Sequence, residues 1–175
     1  MASLSASTEI AIPAGAMVVL VGPSGSGKTT FAARHFPRTH VLSSDEMRAI
    51  VADDANDQAA TSAAFELLHT ALALRLARGR TTVVDATNVE RWARGRLLAV
   101  ARRSGRPAVA VVFALPLETC LARNLSRADQ RPATTIRRQH RWMSESLRQL
   151  GDEEFAAVHV LEGEEAVARA LVAIG

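Results

Sequence analysis

The 175-residue sequence predicts an α/β fold, a doubly wound parallel sheet of about five strands flanked by helices. Two observations carry that prediction. Apolar runs of strand type recur at 16–21, 40–43, 81–85, 108–114 and 157–161. Helical patterns lie between and after them at 28–36, 45–52, 57–78, 91–104, 116–128, 132–149 and 164–173. Strands alternating with helices favour a parallel sheet whose ligands gather beyond the carboxyl ends of its strands. The second observation is Gly22-Pro-Ser-Gly-Ser-Gly-Lys28-Thr29, set directly after the first apolar run and before the first helix. That spacing, G-x-x-x-x-G-K-[ST], is a phosphate-binding loop. It narrows the class to a P-loop NTPase.

Each residue type in the loop has a physical task. Gly22, Gly25 and Gly27 leave room for consecutive backbone N–H groups, with those of Ser24 and Ser26, to form a concave anion nest. The following helix, starting with Lys28, Thr29 and Thr30, aims the positive end of its dipole at the same place. Lys28 offers a compact charge to β- and γ-phosphates, and the Thr29 hydroxyl is placed to hold Mg²⁺. Of the 21 basic residues 20 are arginine, so Lys28 is the only lysine. A flat guanidinium would not fit inside a ring of amides, which explains this one exception.

Length and composition fit one domain, 1–175, with a core built from Ala, Val and Leu. A lone cysteine, Cys120, excludes an internal disulfide and a cysteine-rich metal cluster, and makes a reducing cytoplasm the simplest setting to expect. No apolar run reaches the roughly 20 residues of a membrane span, and no signal-peptide pattern opens the chain. No membrane partner is expected. Charge is uneven: residues 102–148 hold ten arginines against Glu118, Asp129 and Glu145, whereas 151–175 holds Arg169 against six acids. Such a split suits a polyanion met by one face, or simply solvated helices.

In chain order, residues 1–15 read as a short ragged lead-in. Ser43 and Glu46 form a capping box, so a helix begins there with Asp45 in its first turn and Arg48 on the same face. Asp45 could take a proton from an attacking hydroxyl while Arg48 grips the acceptor; on spacing alone a dipole-favoured acid beside a surface arginine is the favoured reading. The run 53–58, ending in Asp57 and Gln58, reads mainly as capping for a helix whose stripe is Phe65, Leu68, Leu72 and Leu76. Asp85 closes an apolar strand, where an acid can support a metal, or can cap the next helix together with Asn88. Pro116 opens a helix carrying Arg123 and Arg127 four apart on one face, with Arg131 beyond, the makings of an arginine lid at about 116–132. Ile136, His140, Met143, Leu147 and Leu150 form a packing stripe on the next helix, and Trp142 beside it can stack on a base or be buried. The histidines show no zinc spacing. The end reads as a last strand and an acidic helix.

Taken together, Gly22–Thr29, Ser43–Arg48, Asp53–Gln58, Val83–Asn88 and Arg123–Arg127 resemble the bacterial 5′-hydroxyl polynucleotide kinase domain. In bacterial RNA-repair enzymes that domain precedes phosphatase and ligase modules. The resemblance runs in register over nearly the whole chain. It implies ATP- and Mg²⁺-dependent transfer of the γ-phosphate to the 5′-OH end of RNA or DNA, in end healing. It assigns Lys28 and Thr29 to phosphates and metal, Asp45 as general base, and Arg48 to the acceptor phosphate. Arg123 and Arg127 become lid arginines on the triphosphate, and Gln58 and Asp85 fall on family positions of the acceptor site. Phosphatase and ligase modules are the partners it suggests. Two other readings stand beside it: a P-loop kinase for a metabolite, sugar or antibiotic, and a nucleotide-dependent switch. The switch lacks a guanine-reading N-K-x-D.

Overall fold

The computed structural model describes residues 4–5 and 9–175. Six parallel strands form the main sheet in the order β1 (Leu4–Ser5), β7 (Ala157–Glu162), β6 (Ala108–Ala114), β3 (Met17–Val21), β5 (Thr82–Asp85), β4 (Val41–Ser43). The five longer strands are those read from the sequence. β3 is buried along its whole length, as a central strand covered on both faces must be. Its neighbours are β5 and β6, in the registers Val19↔Val84 and Val19↔Ala110. Ser43 pairs with Asp85 at the far side, so the carboxyl ends of β3, β4 and β5 open onto one place.

Helices cover both faces. α3 (Thr61–Ala77), α4 (Arg91–Arg103) and part of α6 (Ala133–Gln149) bury Leu68, Leu72, Leu76, Leu97, Val100 and Met143 against one face. On the other, α1 (Lys28–His35) and α5 (Leu117–Leu125) bring Phe31, Ala32 and Cys120 against Phe113. α2 (Ser44–Ala52) begins where the capping box set it: the Ser43 hydroxyl accepts from the Glu46 N–H.

Four expectations are corrected. Of the lead-in at 1–15, residues 1–3 and 6–8 lie outside the described residues. Within the rest, β2 (Glu9–Ile12) is a strand that buries Ile10 and Ile12 and leaves alternate residues exposed. Its partner overturns the helix expected at 164–173: α7 (Gly163–Arg169) stops early, and β8 (Leu171–Ile174) pairs with β2 in parallel. The apolar, partly β-branched run at 171–174 pairs with β2 in place of a third helical turn. α5 ends at Leu125, so Arg127 lies in the turn beyond it and shares no helix face with Arg123. On α3 the buried line is Ala64, Leu68, Leu72 and Leu76, which turns Phe65 half out of the core.

A buried ion pair braces the region behind the site. Arg94, fully buried on α4, makes two hydrogen bonds to Glu153 at 2.9 and 2.6 Å. Its other nitrogen donates to the Asn88 carbonyl and to Ser146 Oγ, both at 2.9 Å. Asn88, at φ 48, donates to the Leu20 carbonyl at 2.8 Å. Asn88 therefore ties β5 to β3 and does not cap α4.

Candidate active site

A cleft of about 1340 Å³ runs over the carboxyl ends of β3, β4 and β5. Its floor is the phosphate loop. Gly25 and Gly27 take φ of 83 and 95, and a Cβ on Gly25 would come within 2.4 Å of the Cys120 carbonyl oxygen. Only glycine fits that contact. Gly22 and Ser26 do not line the cleft. A Cβ on Gly22 would meet Ser26 Oγ at 2.7 Å and Phe113 Cβ at 3.0 Å, so these two residues let the loop pack onto β6. Ser24, Gly25, Gly27, Lys28, Thr29 and Thr30 all face the cleft.

Lys28 is almost wholly buried, its ammonium donating to the Pro23 carbonyl at 2.8 Å and to Ser26 Oγ at 3.4 Å. Burial lowers its pKa to about 8, against the opposing pull of Asp85. Thr29 donates its hydroxyl to Asp85 Oδ2 at 2.8 Å. Burial raises the Asp85 pKa, and the positive charge of Lys28 and the Thr29 hydrogen bond oppose the rise. A hydroxyl and a carboxylate side by side form a hard oxygen pair suited to Mg²⁺, which commonly takes one or two protein carboxylates together with substrate phosphates. Among the described residues there is no cluster of three or more acids, His or Cys that could hold a metal unaided.

Asp45 lines the same cleft from the first turn of α2, with its side chain 43% exposed. Two guanidinium groups hold it: Arg48, three residues on, and Arg131, at 3.4 Å from across the cleft. Arg48 is buried, and its Nε donates to the Ala55 carbonyl at 2.8 Å. That contact gives the acidic 53–57 run a task, because it seats Arg48. Gln58 faces the cleft from the 3-10 turn before α3, donating to the Asn56 carbonyl at 3.1 Å.

Arg123 and Arg127 also line the cleft. Arg123 Nη1 would lie 3.1 Å from a Cβ on Gly27, and its Nη2 pairs with Glu164 at 2.8 Å. The charge of Arg127 lowers the pKa of both Lys28 and Asp85, which marks its closeness to them. Between these arginines, Asn124 is buried and grips Arg131 at two points. Its Oδ1 accepts the Arg131 N–H at 2.8 Å and its Nδ2 donates to the Arg131 carbonyl at 2.9 Å. All twelve predicted site residues other than Gly22 and Ser26 are thus brought to one cleft.

Four contributors escaped the sequence reading: Asn124, Glu164, Gln139 and the pairing of Arg131 with Asp45. Gln139, on α6, accepts the Ser24 N–H at 2.9 Å. Glu164, Gln139 and the Arg131–Asp45 pair act across 41, 115 and 86 positions, beyond any local spacing; Asn124 lies within the Arg123–Arg127 motif, but its partner Arg131 falls outside it. His140 is a core-edge residue as expected, its ring nitrogen 3.0 Å from the Leu115 carbonyl. Trp142 is half-buried with Arg138 over its ring at 5.2 Å.

The family model described as an AAA domain matches residues 17–150, from β3 to the end of α6. The chain belongs to the AAA-domain family. Among solved structures, this AAA domain is similar to the Pnkp1/Rnl/Hen1 RNA repair complex, with a TM-score of 0.66 and 20% identity over 79% of the chain and 46% of the other. It is also similar to the AvrRxo1-ORF1:-ORF2 complex with ATP, at a TM-score of 0.65 and 14% identity over 89% and 56% of the two chains. A third is the Mycobacterium tuberculosis APS kinase CysC in complex with AMPPNP and APS, at 0.52 and 21% over 79% and 99%. The AAA domain spans about half the length of the first two. No curated protein matches the sequence. The shared architecture is that of P-loop kinases, and the nucleotide-binding loop belongs to it. No helix among the described residues is long and apolar enough to cross a membrane.

Proposed function

We propose that this protein is an ATP-dependent 5′-hydroxyl polynucleotide kinase, with 1–175 as a single cytoplasmic kinase domain and 116–132 as its lid. The observation that carries the reading is the position of Asp45, which faces the same cleft as Lys28 and Thr29 and is held between Arg48 and Arg131. The acceptor hydroxyl gives its proton to Asp45 as its oxygen bonds to the γ-phosphorus and the bond to the ADP oxygen breaks. Lys28 and the loop amides anchor the β- and γ-phosphates, and Arg123 and Arg127 stabilise charge on the moving group. Thr29 and Asp85 are the residues that would hold Mg²⁺, which would supply positive charge to offset that of the phosphates. Arg48, Gln58 and Asp85 lie on the acceptor side.

A polymer acceptor is favoured by the arginine wall: Arg131 and Arg138 line the cleft, and the 102–148 segment that holds them is strongly basic. Phosphatase and ligase modules are the partners this reading expects, by analogy with the RNA repair complex above. The test is transfer of label from γ-labelled ATP, with Mg²⁺, to a 5′-OH oligonucleotide. Labelled oligonucleotide is expected; label appearing only on a small metabolite would replace the reading with a small-molecule kinase, which the APS kinase shows this fold can also support. Affinity for the acceptor should fall steeply with added salt, because phosphate contacts release counterions.

A further inference from the structure

Gln139 is half-buried on α6 and lines the cleft. It sits 2.9 Å from the Ser24 backbone N–H. An N–H can only donate, so the atom facing it is Oε1 and the Nε2 end of the carboxamide points away from the loop. Among the described residues that amino group meets no hydrogen-bond acceptor. Two N–H donors are therefore left over in a cleft built around phosphates.

The position of the carboxamide is informative. The Ser24 N–H and the Pro23 carbonyl are the two edges of one peptide unit, and the Pro23 edge receives the Lys28 ammonium at 2.8 Å. One wall, formed by α6 and by Arg131 two residues ahead of it, makes two reaches across the cleft: Arg131 to Asp45 and Gln139 to Ser24. A group transferred between the Lys28 side and Asp45 must pass along that wall. Its equatorial oxygens carry the charge of the transition state. A neutral carboxamide adds a donor there without repelling Lys28, which holds the other edge of the same peptide unit.

We propose that Gln139 is a substrate-contacting residue whose Nε2 donates to a non-bridging oxygen of the terminal phosphoryl group while its Oε1 stays anchored on Ser24. This rests on the reading of the chain as a kinase using a nucleoside triphosphate, and it is independent of which acceptor is used.

The test compares wild type, Gln139→Glu and Gln139→Ala for ADP affinity, AMPPNP affinity and Mg²⁺-dependent ATP hydrolysis without any oligonucleotide. Glutamate can still accept the Ser24 N–H but cannot donate. Expected is ADP affinity unchanged in Gln139→Ala, weaker AMPPNP binding in both variants, and turnover reduced about 10²-fold, the usual cost of one lost transition-state donor. Wild-type turnover in either variant would overturn the proposal. Equal loss of ADP and AMPPNP affinity in Gln139→Ala would also overturn it, since that outcome assigns Gln139 to the shape of the loop alone. A wild-type protein that hydrolyses ATP yet fails on 5′-OH ends would refute the polynucleotide reading and leave the Gln139 measurement intact.

Discussion

Thr29 donates its hydroxyl to Asp85 Oδ2 at 2.8 Å, joining the first turn of α1 to the carboxyl end of β5. The two residues are 56 positions apart in sequence and meet because β3 and β5 are direct neighbours. A cation bound at the Thr29 oxygen would find the carboxylate beside it. Replacing Asp85 by Asn keeps the shape and removes the charge, so the Mg²⁺ concentration for half-maximal turnover should rise about 10- to 100-fold. A Mg²⁺ titration of D85N beside wild type checks this; coincident curves would remove Asp85 from the cation's surroundings.

Lys28 makes stability and nucleotide binding depend on pH in opposite senses. Its pKa is 10.5 in the open chain and about 8 in the fold. The unfolded chain therefore binds more protons between those values, and the free protein gains stability as pH rises from about 8 to 10.5. Below pH 8 the full cost of the buried ammonium, on the order of 3 kcal/mol, is present. Lys28→Met should raise the unfolding midpoint of the free protein at pH 7, with the gain shrinking towards pH 10.5. ADP, which needs the ammonium, should bind wild type more weakly above pH 8. Thermal melts and calorimetric titrations across pH read both effects.

Asp45→Ala should lower turnover by about 10² to 10⁴, the range of a lost general base, while ATP binding survives. Asn124→Ala tests how Asp45 is held. It leaves the Arg131 N–H and carbonyl without their partners and costs about 1–3 kcal/mol of stability. Turnover should fall with unaltered ADP affinity, because the clamp acts on Arg131 and through it on Asp45. Steady-state kinetics with ADP competition separates the two effects; normal turnover in N124A would show that the clamp does not reach Asp45.

Glu153→Ala leaves Arg94 charged and fully buried. Removing one partner of such a pair destabilises by about 3–5 kcal/mol, which chemical denaturation will read directly. Since Arg94 also holds the Asn88 carbonyl, the surviving fold should bind Mg²⁺–ATP more weakly.

What could be read from residues alone followed the range of each interaction. The phosphate loop, the Ser43 cap and the strand at 81–85 are local patterns, and each stands within a residue or two of its expected place. β2 and β8 were missed because neither is long, and each is a strand only through the other, 162 positions away in the pairing Glu9↔Leu171. Arg123 and Arg127 were placed on one helix face by spacing, but α5 ends between them, and the Asn124 clamp on Arg131 shapes the turn that follows. Gln139 reaches a residue 115 positions away. Nothing in the sequence around Arg94 foretells Glu153 closing over it from 59 positions away. Phe65 shows the finer limit: one step around α3 separates the core from the cleft.

The solitary ε-amine has a practical consequence. With its pKa near 8, Lys28 is substantially uncharged in mildly alkaline buffer, and its carbon stem and nitrogen are sunk in the loop. An acylating nucleotide analogue thus finds a single lysine on the whole polypeptide, at the bottom of the cradle. The mass of the adduct then becomes a reporter that counts occupied cradles one molecule at a time, without any engineered label.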